Sequence, residues 1–108
     1  MAYDDDLANR IRELLGPEPG LSEKRMFGGL AFLVNGHMAV AASGQGGLMV
    51  RVSRDEYETL LTRTFVSPMM MRNTETRGWL RVDAGGFKTK RQLQTWVARG
   101  VEQARLAT

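Results

Sequence analysis

Cysteine is absent from the 108 residues. That excludes a disulfide framework and any zinc site built on thiolates, and it removes the usual reason to place a small domain in an oxidising compartment. Histidine occurs once and proline three times. No apolar run approaches the roughly 20 residues that a membrane-spanning helix needs. The opening Met1-Ala2-Tyr3-Asp4-Asp5-Asp6 lacks the basic region and apolar stretch of a secretory signal. The expectation is a cytoplasmic protein with no membrane partner.

Apolar residues make up 43% of the chain and charged residues 25%, the balance of a folded globule rather than a disordered tail. A chain of this length is expected to form one domain, residues 1–108, around one core. The net charge of +3 is unevenly spread. Residues 1–62 hold six Lys/Arg against nine Asp/Glu, a balance of −3, and residues 63–108 hold nine against three, a balance of +6. The asymmetry points to an acidic partner for the second half.

Leu7, Ile11, Leu14 and Leu15 fall at helical spacing, with Asp4, Asp5 and Asp6 to cap the helix and Gly16-Pro17 to end it. A β-rich block follows. Leu30 to Val34 is a continuous apolar run, Asn35-Gly36 signals a type I′ turn, and Met38 to Ala42 returns as the partner strand. Because both faces of the first strand are apolar, it is expected to be central and covered twice, by helices and by a second subunit. Gly44 to Gly47 leads flexibly into Leu48 to Val52, where Leu48, Val50 and Val52 share a face. Ser53 and Glu56 open a second helix as a capping box, and Gly78 to Val82 reads as another strand. The last helix starts at a Thr89/Gln92 box and carries a stripe of Leu93, Trp96, Val97, Gly100, Val101 and Ala104. Glycine on a buried stripe implies another backbone pressed close to it. The fold class is therefore α+β, a mixed or antiparallel sheet with helices in the order α-β(3)-α-β(2)-α.

The sequence offers little to a catalytic reading. His37 follows the hairpin turn, and neither a nucleophile elbow nor a Ser-x-x-Lys accompanies it. The three N-terminal aspartates lack the glycine-bearing loop of a calcium site and suit helix capping. Gly28-Gly29 and Gly44-Gln45-Gly46-Gly47 each run into a strand rather than a helix, so turns and bulges explain them better than a phosphate cradle. Met69-Met70-Met71 reads as a strand whose alternate residues plug the core, with an adaptable binding surface as the other reading. No enzyme activity, metal or cofactor is expected.

Together, Lys24-Arg25-Met26-Phe27-Gly28-Gly29-Leu30, Asn35-Gly36, Leu48-Met49-Val50-Arg51-Val52, Pro68-Met69, Gly78-Trp79-Leu80-Arg81-Val82 and the Leu93, Trp96, Gly100 spacing resemble the N-terminal domain of the TfoX/Sxy family of bacterial competence regulators. The resemblance covers almost the whole chain. It implies a fold akin to secretion-chaperone domains and a homodimer. It also implies a setting in transcription regulation, since longer members carry a second helical domain and act with the cyclic-AMP receptor protein on DNA-uptake genes. This chain ends at Thr108, after its third helix, and so reads as a stand-alone version of the first domain. No catalytic residue transfers from the family.

The residues of the motif, Arg25, Met26, Phe27, Gly28, Gly29, Asn35, Gly36, Gly78 and Trp79, are expected to be structural, with Met26 and Phe27 anchoring a strand in the core. Arg72, Arg77, Arg81, Lys88, Lys90 and Arg91 form the candidate basic interaction surface. The function expected is a non-catalytic regulatory domain that binds a protein partner. The alternative is a nucleic-acid-binding module that uses the basic second half.

Overall fold

The computed structural model describes residues 3–26, 28–71 and 73–107, with the Met71 side chain left aside. Helix α1 spans Asp5–Leu15 and is capped by Asp4, whose carboxylate accepts from the amides of Asp6 (2.9 Å) and Leu7 (3.2 Å). The buried stripe is Leu7, Ala8, Ile11 and Leu15. Four strands follow: β1 (Leu21–Met26), β2 (Gly29–Val34), β3 (His37–Ala42) and β4 (Leu48–Arg51). Helix α2 (Arg54–Leu61) leads to β5 (Val66–Met71) and β6 (Thr74–Val82), and a short 3-10 turn (Ala84–Gly86) precedes helix α3 (Lys90–Leu106).

The strands form one antiparallel sheet in the order β1-β2-β3-β4-β6-β5. The expected α+β order is met, with one strand more in the first block. That extra strand, β1, has its four inner residues exposed, and its Leu-Ser-Glu-Lys-Arg-Met sequence lacks the apolar alternation that marks a half-buried strand. Arg12 of α1 ties it down. The guanidinium donates to both Glu23 carboxylate oxygens, at 2.7 and 2.8 Å. That hydrogen bonding holds the Glu23 pKa below the ordinary carboxylate range, against a smaller opposing effect of desolvation.

The hairpin between β2 and β3 turns on Asn35 (φ 53°) and Gly36 (φ 83°), the positive pair that a type I′ turn requires. Leu30, Phe32 and Val34 face the helices, joined by Val40, Ala42, Leu48, Val50, Leu80 and Val82 from neighbouring strands. Leu7, Ile11, Tyr57, Leu60, Leu93, Trp96 and Val97 close this core from the helical side.

Between Phe32 and Leu33 the register with β3 shifts, so that Phe32 lies opposite Val40 and Leu33 opposite Met38. Ala39 is the extra residue of this bulge. Gly100 of α3 rests against it, because a Cβ there would meet the Ala39 carbonyl oxygen and lie 2.8 Å from Val40 Cγ1. The close backbone approach inferred from Gly100 is thus made to a bulge, which pushes the strand toward the helix. At the N-terminus of α3 both halves of the capping box form, Gln92 N–H to Thr89 Oγ1 at 3.1 Å and Thr89 N–H to Gln92 Oε1 at 3.0 Å.

Of the cover expected for β2, the helical half is present. The helices lie on one face, and Ala31 and Leu33 point to the other, where neighbouring side chains leave Ala31 buried and Leu33 half-buried.

Candidate functional site

The helix-free face is where the chain places its unusual side chains. Strand pairing aligns one row across it: Lys24 beside Ala31, Ala31 beside Ala41, Ala41 beside Met49, Met49 beside Arg81, and Arg81 beside Ser67. Ala41, with Ala42 beside it, makes a low floor, and Met26, Met38, Met49, Met69 and Met70 stand around it. The result is a groove of about 380 Å³ with Arg81 on its rim. Five of the seven methionines of the chain line this one groove. Met70 is 53% exposed, so the groove is open to solvent. A thioether on an unbranched stem adapts to irregular partners, which suits a surface of this kind.

Arg81 also fixes the loop between β3 and β4. Its Nη2 donates to the Gly46 carbonyl at 2.7 Å, and its Nη1 to Ser43 Oγ at 3.3 Å and Gln45 Oε1 at 3.5 Å. Within the loop the Ser43 amide donates to the Gly47 carbonyl and the Gly46 amide to the Ser43 carbonyl. The Gly44–Gly47 stretch, expected to be flexible, is thus an organised turn. Every acceptor of Arg81 is neutral, and among the described residues no carboxylate lies within ion-pair distance of it. One row along the same face, Arg51 pairs with Trp79 and its guanidinium stands 5.6 Å from the indole centroid.

The motif residues are distributed around this groove. Gly28 (φ 77°) turns the chain between β1 and β2. Gly29 lies against the end of β3, where a Cβ would meet the Ala42 carbonyl oxygen and come 3.0 Å from the Gly44 amide. Gly78 (φ 92°) bends β6 and accepts from the Val52 amide at 2.8 Å. Arg25 is exposed on the edge strand, and Trp79 is half-buried on the helix-free face. Phe27 and Arg72 lie outside the described residues. The expectation that Met26 anchors the core is corrected, because it lines the groove instead. So is the assignment of the methionine run to the core for Met69 and Met70, while the Met71 side chain lies outside the described residues. The register with β6 shifts between Pro68 and Met70, and this irregularity lets the adjacent Met69 and Met70 both reach the groove.

The remaining basic residues do not share this surface. Arg77 turns toward α2, with Glu58 at 3.2 Å and the Tyr57 ring at 6.0 Å. Lys88, Lys90 and Arg91 lie around the start of α3, on the helical side, where Arg10 donates to the Phe87 carbonyl at 2.8 Å. His37 begins β3 opposite Val34, half-buried. Among the described residues no group of three or more His, Asp or Glu is placed to hold a metal ion, and no helix is long and apolar enough to cross a membrane.

Met38 and Met49 are not among the site residues expected from the sequence. The signal was the alternation Met38, Ala41 and Met49 against Val40, Ala42, Leu48 and Val50, but the bulge at Ala39 shifts its phase and conceals it. No curated protein and no solved structure matches the chain. The model of the TfoX N-terminal domain matches residues 13–104, the stretch that contains the sheet, the groove and most of α3, and the chain therefore belongs to the TfoX N-terminal domain family.

Proposed function

We propose that this domain is a non-catalytic regulatory module of the cytoplasm that works by binding a protein partner on the helix-free face of its sheet. The observation that carries the reading is the concentration of methionines around an alanine floor on the one face no helix covers. Soluble domains seldom leave such an apolar surface open without a use for it. Family membership supports a setting in transcription regulation.

The sheet edges favour the face as the working surface. Edge β1 carries Glu23, Lys24 and Arg25 in succession, and edge β5 carries Pro68. Consecutive charges and proline both discourage pairing with an added strand. A second copy of the chain, the partner expected from the sequence, is one occupant to weigh for this face. Nucleic acid is the weaker alternative, because the described basic residues are divided between the two sides of the sheet and Arg77, Arg99 and Arg105 are engaged with carboxylates.

A photo-cross-linking residue placed at Met49, and separately at the exposed Thr95 of α3, tests the reading in cells. Protein adducts are expected from position 49 and not from 95. Adducts from position 95 alone, or none from 49, would remove the helix-free face as the docking surface.

A further inference from the structure

The row that crosses the helix-free face has a cation at each end and apolar residues between: Lys24 on β1, then Ala31, Ala41 and Met49, then Arg81 on β6. Four strand spacings separate the ends, about 19 Å at roughly 4.8 Å per spacing. Arg51, on the same face, adds a third positive charge, and no Asp or Glu is aligned on this face along β1 to β4 and the Trp79–Val82 stretch of β6; the acid nearest to it by pairing is Glu75, opposite Met70 near the tip of the β5–β6 hairpin. Glu23 turns to Arg12 on the helical side, and Glu75 is engaged with Arg77 and lies near Tyr57.

We propose that the helix-free face binds an acidic amphipathic helix of a partner protein, laid across the strands with apolar side chains among the groove methionines and carboxylates at Arg81 and at Lys24 beyond the groove. The proposal rests on the helix-free face being the docking surface and adds the chemistry of its occupant. A helix rising 1.5 Å per residue covers the distance between the two cations in about 13 residues, so one helix of ordinary length meets both. Arg81 is ready for a carboxylate. Three of the five N–H groups of a guanidinium are committed to neutral oxygens, which hold it in place and leave two donors for a ligand. A charge-assisted bond to an incoming carboxylate is stronger than the neutral bonds already made. The methionine walls accept apolar side chains of varied shape, as Met-rich grooves that take amphipathic helices do.

Charge decides against the other occupants. A second copy laid face to face would bring Lys24, Arg51 and Arg81 toward the same three cations. A fatty acid carries one carboxylate and satisfies one end of the row only.

The test uses the whole chain and fluorescein-labelled 18-residue peptides, read by anisotropy. One peptide has Leu at helical spacing and Glu elsewhere, the second has Lys in place of every Glu, and the third has Ser in place of every Leu. The acidic amphipathic peptide is expected to bind at micromolar concentration, and the other two at least tenfold more weakly. Arg81→Gln should weaken the acidic peptide fivefold or more. Because Arg81 also holds the β3–β4 loop, Lys24→Glu serves as the second variant. Among the described residues that exposed position makes no ion pair, and its reversal should weaken the acidic peptide threefold or more with an unchanged melting temperature.

Equal binding of the acidic and basic peptides, or indifference to both substitutions, would overturn the proposal. So would dodecanoate displacing the peptide at equal concentration, or a dimer mass by light scattering that Met49→Glu reduces to a monomer. Cross-linking from position 49 together with no binding of the acidic peptide would leave the docking face standing and remove only its acidic helical occupant.

Discussion

Two glycines of this chain are required for different reasons, and substitution separates them. At Gly100 the backbone is ordinary α-helix, but an added methyl group would press on the Ala39 carbonyl and on Val40 Cγ1. Gly100→Ala should therefore destabilise by about 1–3 kcal/mol in spite of the better helix propensity of alanine. At Gly78 there is room, since the nearest atom to a Cβ is Val52 O at 3.8 Å, but φ is 92°. Gly78→Ala should cost about 1–2 kcal/mol from the torsion alone. Asparagine tolerates positive φ better than alanine, so Asn should recover part of the loss at position 78 and none at 100. Urea denaturation of the four variants checks both arguments, and a neutral Gly100→Ala would mean that α3 does not rest on the bulge.

Tyr57 offers a second residue-level test. It is 1% exposed, and among the described residues its hydroxyl makes no hydrogen bond of acceptable geometry. Burial pushes its pKa up, with a further contribution from the nearby Glu75 carboxylate. The raised value means that the folded state favours the neutral phenol. The associated stability is complete below the ordinary tyrosine pKa of 10.0 and is lost as pH rises past it. Tyr57→Phe removes an unsatisfied polar atom while keeping the ring beside Arg77. It should leave stability at pH 7 unchanged or raise it by up to about 1 kcal/mol, and it should flatten the fall in melting temperature above pH 10.

At the scale of elements, the edge strand β1 is held to the helical layer in part by the Arg12–Glu23 pair. Glu23 has a lowered pKa, so its contribution is present above the ordinary value of 4.5 and is lost as pH falls through the folded one. The pair is partly solvated, with side-chain exposures of 42% and 33%. Glu23→Gln should accordingly cost less than about 1 kcal/mol at neutral pH and should reduce the loss of stability on acidification below pH 4.5. An acid limb as steep in the variant as in the parent would assign that limb to other carboxylates.

The elements also show what the sequence could and could not reveal. The three helices were legible because their caps and stripes are local: Asp4, Ser53 and Thr89 each bond an amide within three residues. The β2–β3 hairpin was legible from Asn35-Gly36 for the same reason. The groove was not, because it depends on two register shifts, at Ala39 and between Pro68 and Met70. A bulge changes which face a side chain joins, and its position depends on packing from a distant part of the chain, here Gly100 against Ala39. Reading Met69 to Met71 by strict alternation therefore sent the wrong side chains to the core. The grouping of basic residues failed on similar grounds, since proximity in sequence left Arg81 and Lys90 on opposite sides of the sheet.

Over the whole molecule, stability and recognition are assigned to opposite faces of one sheet, and this division can be measured. The helical face holds the large side chains, with Phe32 fully buried among Val40, Val50 and the helix stripes. The other face is floored by alanines and walled by methionines that stand outside the core cluster. Phe32→Ala removes a ring from a closed site and should cost about 3–5 kcal/mol, the transfer loss plus the cavity left behind. Met49→Ala shortens a half-buried side chain on an open surface, where water already reaches the groove and no cavity closes over the gap. It should cost less than about 1 kcal/mol while weakening any ligand that rests on the methionines. Denaturant titration of the two variants reads the first quantity and peptide anisotropy the second. A Met49→Ala loss as large as that of Phe32→Ala would mean that the methionines pack the fold, and the groove would then have no claim to be a docking surface.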